Sequence, residues 1–153
     1  MRKIHILITI LSIANTVQCL HLDVYYESLC PDCTGFITEQ LYPTWNTLQG
    51  NFSLSLYPFG NARETRLSNG TFAYHCQHGE IECRGNFLEI CIIKKARFDA
   101  QIYLPILTCI EHSVRNGLPV EKSAKSCVNF FRPEEKYYKW ITHCASVSYF
   151  CRF

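Results

Sequence analysis

The sequence lacks a hydrophobic run long enough to cross a membrane, and it lacks an excess of charge of either sign. Its largely apolar stretch, residues 4–14, has 11 residues, whereas a membrane-spanning helix needs about 20. The formal net charge of the 153 residues is +2, and no basic cluster suggests a nucleic-acid partner. Internal repeats and low-complexity segments are also missing. A chain of this length without such features is expected to form a single domain that is long enough to bury a core.

The N-terminus has the layout of a secretory signal peptide. Two basic residues precede the apolar stretch, which is too short to span a bilayer, and we predict cleavage after Cys19. A bacterial lipoprotein with lipid on Cys19 is the less favoured alternative, because Gln18 is a poor residue before a modified cysteine. Removal of residues 1–19 takes away two basic residues and no acidic one. The predicted mature chain, residues 20–153, therefore has 13 basic and 13 acidic residues and no net formal charge.

Cysteine is abundant, with ten in the sequence and nine in the predicted mature chain. This density is typical of chains that fold in an oxidising compartment, where disulfides support a modest core. Two Asn-x-Ser/Thr sequons, at Asn51 and Asn69, are candidate glycosylation sites and agree with the same route. The sequence therefore predicts a glycoprotein of the secretory pathway.

The first part of the mature chain shows the pattern of a parallel βαβ unit. Apolar and polar residues alternate over residues 20–27 and again over 52–57, which predicts two strands. Between them, apolar residues recur at helical spacing over residues 34–48, and Pro43 is expected to kink this helix. The motif Cys30-Pro31-Asp32-Cys33 lies where the first strand passes into the helix. This placement is typical of a thioredoxin-like α/β fold.

A redox CxxC needs a thiolate, and its position at a helix start favours one. A free cysteine titrates near ~8.5, whereas a cysteine at a helix N-terminus can fall to roughly 3.5–7.5. We therefore assign Cys30 as the nucleophile that attacks a substrate disulfide. Cys33 is the resolving cysteine that attacks the resulting mixed disulfide. A charged Asp32 close to Cys30 would oppose the thiolate.

Two other interpretations of the CxxC remain open from the residues alone. The first is a zinc site with further ligands from the next cysteine-rich segment, which contains His75, Cys76, His78 and Cys83. The second is an ordinary structural disulfide. The secretory context and the flanking strand and helix favour the redox interpretation. His78 is a candidate acid or base, although a role in a turn or in packing fits it better.

The second part of the chain changes character. Residues 63–75 have a loop-like pattern with a turn signal at Ser68-Asn69-Gly70, and residues 80–145 are mostly helical in period. Asn116-Gly117 separates two helices, and Pro133 fits the first turn of the last one. Six cysteines of this part are candidates for structural disulfides, with a connectivity that the sequence does not give: Cys76, Cys83, Cys91, Cys109, Cys127 and Cys144.

One long cysteine signature carries a resemblance to a known family. It is the run Cys76-Gln77-His78-Gly79-Glu80-Ile81-Glu82-Cys83-Arg84-Gly85-Asn86-Phe87-Leu88-Glu89-Ile90-Cys91. The run resembles the signature of the gamma-interferon-inducible lysosomal thiol reductase family, which is CQHG, two residues, EC, two residues, N, four residues and C. Every fixed position is present. Residues 25–29 and 58–62 are also similar to the family, and the resemblance extends from about residue 20 to Cys144.

The resemblance implies a soluble, glycosylated reductase in a lysosome or outside the cell. It also implies a thioredoxin-like core over residues 20–62 and a disulfide-rich helical insertion over residues 76–145. Family members reduce protein disulfides at acidic pH, and Cys30 and Cys33 match their active-site pair. The expected partners are disulfide-bonded protein substrates and a small-molecule thiol reductant, with no cofactor and no metal.

The end of the chain departs from the family pattern. In the family, a cis-proline segment, two strands and a closing helix follow the helical insertion, whereas residues 145–153 resemble none of these. We therefore expect a C-terminally truncated member in which one edge of the sheet is open and one of nine mature cysteines is unpaired. The alternative function is a non-catalytic secreted cysteine-rich protein derived from a truncated reductase, and a metal-binding module is a weaker third hypothesis.

Overall fold

The structure is a computed structural model, and it describes residues 20–48 and 51–148. The predicted signal peptide, Cys19 and Cys151 lie outside the described residues. No helix in the described part of the chain is long and apolar enough to cross a membrane.

The first part of the fold is a strand, a helical run and a second strand. Strand β1 spans Leu20–Tyr26 and strand β2 spans Phe52–Pro58. The helical run between them consists of α1 (Pro31–Gly35), a π-helical segment (Phe36–Leu41) and α2 (Tyr42–Leu48). The two strands pair in parallel, with Leu20 opposite Phe52 and Tyr26 opposite Pro58. The predicted parallel βαβ unit is therefore confirmed.

The helical run contains Pro43, where the sequence predicts a kink. The helix continues through Pro43, and the turn before it widens to the π form, in which Tyr42 N–H donates to Ile37 O. Proline has no N–H to donate to the carbonyl four residues earlier, so the irregular turn lies where the regular bond is lost. Trp45 of α2 packs edge-on against Phe52 of β2, with ring centroids 5.2 Å apart.

Residues 63–75 form a hairpin rather than the predicted loop. Strand β3 (Arg63–Arg66) pairs antiparallel with β4 (Phe72–His75). Gly70 adopts φ +83° in the turn between them, so the predicted turn signal is confirmed. The loop prediction was wrong because all four β3 residues are exposed, and a strand that buries no side chain shows no apolar alternation.

The remaining described chain is helical, as predicted. It forms four helices: α3 (Glu80–Lys95), α4 (Ala100–Arg115), α5 (Val120–Phe131) and α6 (Glu135–Ser148). The break between α4 and α5 contains Asn116 and Gly117, as expected. Helix α6 begins two residues later than predicted, so Pro133 precedes the helix instead of occupying its first turn.

The core lies where α3 and α4 pack against β2 and against each other. Tyr103 of α4 is buried and donates from its hydroxyl to Leu54 O of β2 at 2.9 Å. Leu88, Ile92, Leu104 and Leu107 are among the buried side chains of these two helices. Helix α5 packs on α4, and α6 packs on α3. The helical part is thus anchored directly to the βαβ unit.

Three disulfides join parts of the helical region. They are Cys76–Cys83, Cys91–Cys144 and Cys109–Cys127, which close sequence separations of 7, 53 and 18 residues. The second ties α6 to α3, and the third ties α5 to α4. Only Cys30 and Cys33 among the described cysteines have free thiols.

Candidate active site

The CxxC motif lies at the junction of β1 and α1. Cys30 is the N-cap residue of α1, with φ −72° and ψ 117°, and Pro31 begins the helix. The Cys33 backbone N–H donates to the Cys30 sulfur at 3.4 Å. The N–H groups of the first helical turn lack helical partners and carry partial positive charge, and the Cys30 sulfur lies next to them.

The two thiols differ in their surroundings. Burial raises the pKa of the Cys33 thiol to about 12, and its hydrogen bond with the Cys30 sulfur adds to the rise. Cys33 therefore holds its proton, while the Cys30 sulfur accepts from Cys33. Asp32 is exposed to solvent, where water screens its charge. The geometry thus distinguishes an accepting sulfur at the helix start from a protonated one a turn deeper.

Helix α3 holds the connection between β1 and α1. Asn86 accepts from the Ser28 backbone N–H through Oδ1 at 2.9 Å, and the Ser28 hydroxyl donates to Glu82 O at 3.2 Å. A Cβ at Gly85 would lie 2.1 Å from the Ser28 Oγ, so only glycine permits this approach. Ser28, which lies two positions before Cys30, is thereby held by one face of α3.

The segment after β2 holds the same connection from the other side. The Glu27 carboxylate is buried and accepts from the Asn61 backbone N–H at 2.6 Å. Gly60 adopts φ +48°, and a Cβ there would lie 2.6 Å from the Glu27 side chain. The Cys30 backbone N–H in turn donates to Glu27 O at 3.2 Å. Residues 27–30 are therefore clamped between α3 and the turn that follows β2.

Comparison with known proteins identifies the family to which the sequence is similar. The sequence model of the family described as Gamma interferon inducible lysosomal thiol reductase (GILT) matches residues 21–131. This range includes the CxxC, the turn after β2 and all of α3. The chain belongs to this family.

Curated relatives agree with this assignment. The chain is 39% identical over 113 residues to a gamma-interferon-inducible lysosomal thiol reductase of Carassius auratus, covering 74% of this chain and 42% of that protein. It is 37% identical over 115 residues to the protein of the same name from Mus musculus, covering 75% and 44%. A gamma-interferon-responsive lysosomal thiol protein of Arabidopsis thaliana is 31% identical over 144 residues, covering 79% and 60%. The chain spans less than half the length of the two vertebrate relatives.

In this GILT-family chain, buried residues of the signature contact the end of β1 and the segment that follows it. Glu82, Asn86 and Glu89 recur at spacings of four and three residues, so they share one face of α3, and all three are buried. Glu82 and Asn86 contact Ser28 as described, and Glu89 accepts from the Tyr26 hydroxyl at the end of β1. The signature helix thus supports the strand end that carries the CxxC.

The histidine of the signature belongs to the same support. His78 pairs through Nδ1 with the buried Glu82 carboxylate, and its backbone N–H donates to Glu82 Oε1 at 3.1 Å. Glu27 lies close, and the three possible ligand atoms are within 4.8 Å of one another. Both carboxylates accept protein hydrogen bonds, Glu27 from Asn61 N–H and Glu82 from His78 N–H. His78 is thereby held beside the start of α3, which agrees with the turn and packing role that was preferred for it.

The zinc alternative loses two of the four further ligands that it invoked. Cys76 and Cys83 are joined in a disulfide, and a disulfide sulfur carries no thiolate to bind zinc. The structural-disulfide alternative for the CxxC does not describe this structure either, because Cys30 and Cys33 are free thiols. The pair remains available for thiol chemistry.

The structure also contains two buried acidic side chains near the CxxC that were not predicted from the sequence. Two fully buried carboxyls, Glu89 of α3 and Glu111 of α4, lie behind the CxxC helix. Thr34, the residue after Cys33, donates to Glu111 Oε2 at 2.5 Å. A signal was present in the sequence, since Glu89 lies between Leu88 and Ile90 and Glu111 follows Ile110. An acidic residue within an apolar helical face is seldom buried without a partner or a role.

Both candidate glycosylation sites lie away from the CxxC in sequence and are exposed. Asn51 directly precedes β2. Asn69 lies in the β3–β4 turn, where its Oδ1 accepts from the Thr71 hydroxyl at 2.7 Å and from the Thr71 N–H at 3.0 Å. Both asparagines therefore have the exposure that modification requires.

Proposed function

We propose that this chain is a thiol oxidoreductase that reduces protein disulfides, with Cys30 as the nucleophile and Cys33 as the resolving cysteine. The observation that carries the proposal is the N-cap position of Cys30, whose sulfur accepts from Cys33 N–H. The family names of the relatives support the same chemistry. The thioredoxin-like description of the βαβ unit is part of this proposal.

The reaction consists of two thiol–disulfide exchanges. The Cys30 thiolate attacks one sulfur of the substrate disulfide, forms a mixed disulfide and releases the other substrate sulfur as a thiolate. Cys33 then gives up its proton and attacks the Cys30 sulfur, which releases the second substrate thiol. Two electrons pass to the substrate, and the protein is left with a Cys30–Cys33 disulfide. A small-molecule thiol reductant, itself oxidised to a disulfide, restores the dithiol.

The surroundings of Cys33 fit this order. Its thiol is partly buried and has a raised pKa, so it is a poor nucleophile toward substrates in solution. Once Cys30 is bound to substrate, the neighbouring Cys33 attacks within the same molecule at high effective concentration. Cys30 therefore acts first, and Cys33 acts second.

The proposed compartment is the lysosome or the extracellular space, reached through the secretory pathway. Three disulfides among the described residues fit an oxidising folding environment. The exposed Asn51 and Asn69 would then carry N-linked glycans. The six cysteines in disulfides have a structural role in this account.

A turnover assay tests the proposal. The full sequence is expressed in a secretory host, and the purified product is given a disulfide-bonded protein and a thiol reductant at about pH 5. We expect catalysed reduction that falls to the uncatalysed rate in Cys30→Ser, because serine provides no thiolate. Ser113→Ala, which removes a hydroxyl far along α4, is the matched control and should retain activity. Equal rates for the wild type and Cys30→Ser, with both folded, would favour the non-catalytic alternative.

A further inference from the structure

A cavity of about 550 Å³ lies between β2, the β3–β4 hairpin and the helical region. This volume is within the roughly 300–1,000 Å³ that ligand sites occupy. Aromatic residues line it from β2, the turn after β2, β4, the link between α3 and α4, and α4 itself: Tyr57, Phe59, Tyr74, Phe98 and Tyr103. We call it the aromatic cavity, and its rings come from parts of the chain that are far apart in sequence.

The lining of the aromatic cavity carries no net formal charge. Glu64 of β3 and Lys94 of α3 are its charged residues, and their charges are opposite. Buried Ile93 adds aliphatic surface, and the hydroxyl of Tyr103 already donates to Leu54 O at 2.9 Å. Because its lining is largely apolar and has no excess charge, the cavity suits an uncharged apolar group rather than an ion.

The link between α3 and α4 holds one wall of the cavity in a strained backbone conformation. Arg97 and Phe98 have φ values of 55° and 62°. Glycine or asparagine is usual in this left-handed region after a helix, and a bulky residue there is an outlier. Packing does not explain Phe98, because it is 69% exposed although it lines the cavity. Backbone strain of this kind clusters at ligand sites, which agrees with an aromatic wall that contacts a bound group.

The aromatic cavity begins at the same end of the sheet as the CxxC. Strands β1 and β2 are parallel, and Tyr26 at the end of β1 is opposite Pro58 at the end of β2. The chain continues from Tyr26 to Cys30 and from Pro58 to Phe59, and both Pro58 and Phe59 line the cavity. Ligands of open α/β sheets bind beyond the carboxyl ends of the strands. The cavity and the CxxC therefore share the position where such sites form.

Two sets of contacts join the walls of the cavity to the segment that carries Cys30. Tyr57 stacks on Tyr25 of β1, with ring centroids 4.8 Å apart. Asn61, in the turn after β2, donates from its backbone N–H to the Glu27 carboxylate, and Glu27 O accepts from the Cys30 N–H. The cavity and Cys30 are thereby held in a fixed relation, so one extended ligand can contact both.

We propose that the aromatic cavity binds an apolar side chain, preferably an aromatic one, of the polypeptide whose disulfide Cys30 attacks. This inference rests on the proposed reductase function. Cysteine, isoleucine, leucine and phenylalanine are among the residues most often buried in folded proteins. The chain around a substrate disulfide is therefore rich in apolar side chains, which become exposed when the substrate unfolds. A side chain bound in the cavity holds the nearby disulfide at the CxxC.

The test compares two short disulfide-bonded peptides of equal length and charge. One has phenylalanine on both sides of a cysteine, and the other has serine at those positions. Their affinities for the full chain carrying Cys30→Ser are measured by fluorescence anisotropy, so that no exchange occurs at Cys30. We expect the phenylalanine peptide to bind roughly tenfold more tightly. When the protein also carries Phe98→Gly, this preference should fall to about threefold or less.

The chain offers a matched control and a second test variant. Phe98→Gly should remain folded, since glycine adopts positive φ without strain. Phe130 is 79% exposed and does not line the cavity, so Phe130→Ser should leave the preference unchanged. Tyr57→Ser removes a ring from another wall, where Tyr57 is 42% exposed, and should also lower the preference. It decides the test if Phe98→Gly does not fold.

Four outcomes overturn the proposal. The first is equal affinity for the two peptides, and the second is a preference that survives both Phe98→Gly and Tyr57→Ser. The third is competition by N-acetylphenylalanine amide at the same concentration as the peptide, which would indicate a site for small molecules. The fourth is a dimer in sedimentation that Phe98→Gly dissociates, which would show that a second copy covers the cavity. Binding requires no thiol chemistry, so a failure of the reductase function is seen separately in the turnover assay.

Discussion

Cys33→Ser is expected to convert the protein into a trap for its substrates. Cys30 can still attack a substrate disulfide, but serine cannot attack the mixed disulfide that results. We expect a covalent adduct that survives non-reducing electrophoresis and is released by dithiothreitol, with turnover lowered about a hundredfold or more. The measurement is the adduct mass, followed by peptide mapping of the linked cysteine.

The controls for this trap are available within the chain. Cys30→Ser should form no adduct, because Cys33 is partly buried and its pKa is about 12. All variants carry Cys151→Ser, so that the one cysteine of the predicted mature chain that lies outside the described residues adds no background. An adduct of equal yield in Cys30→Ser would contradict the assigned order of attack. An adduct mapped to Cys91 or Cys109 would show that the disulfides of the helical region exchange instead.

Loss of the Cys91–Cys144 disulfide is expected to have the largest effect on stability. It closes a separation of 53 residues, whereas Cys76–Cys83 closes 7. In the chain-entropy account, the longer loop restricts the unfolded chain more, which gives about 4 kcal/mol for the first and about 2 kcal/mol for the second. We therefore expect replacement of Cys91 and Cys144 by alanine to lower the free energy of unfolding about twice as much as replacement of Cys76 and Cys83 by alanine.

Chemical denaturation of the two paired alanine variants measures this difference. The Cys109–Cys127 pair, with a separation of 18 residues, should fall between them and provides an internal scale. Each variant should keep its helical circular dichroism, since Ile141 and Ala145 of α6 remain fully buried. An equal or reversed order would show that native packing around each bond, rather than loop length, decides its contribution.

The βαβ unit was predictable from the sequence because its strands and its helix start leave local patterns in the sequence. Alternation with a period of two predicts strands over residues 20–27 and 52–57, and the CxxC position predicts where the helix begins. The hairpin escaped prediction because β3 buries no side chain. The start of α6 depends on tertiary packing, so Pro133, which was predicted in the first turn of the last helix, lies two residues before the helix begins at Glu135.

The candidate site was likewise predictable only in part from the sequence. Cys30 and Cys33 were readable from their motif, but the pairing of six cysteines has 15 possibilities, and only the packing of α3 on α6 brings Cys91 to Cys144. The contact of Asn86 with Ser28 joins residues 58 positions apart. The Thr34–Glu111 contact spans 77 positions. Such contacts exist only once α3 and α4 are packed on the βαβ unit.

The described cysteines divide into one pair of free thiols, Cys30 and Cys33, and three disulfides. To test this division, the protein is equilibrated in glutathione buffers of increasing oxidising strength, and every free thiol is identified by alkylation and peptide mapping. We expect Cys30 and Cys33 to pass together between dithiol and disulfide, while the other six described cysteines stay paired throughout. Permanently reduced Cys30 and Cys33, or reduction of the other disulfides over the same buffers, would contradict it.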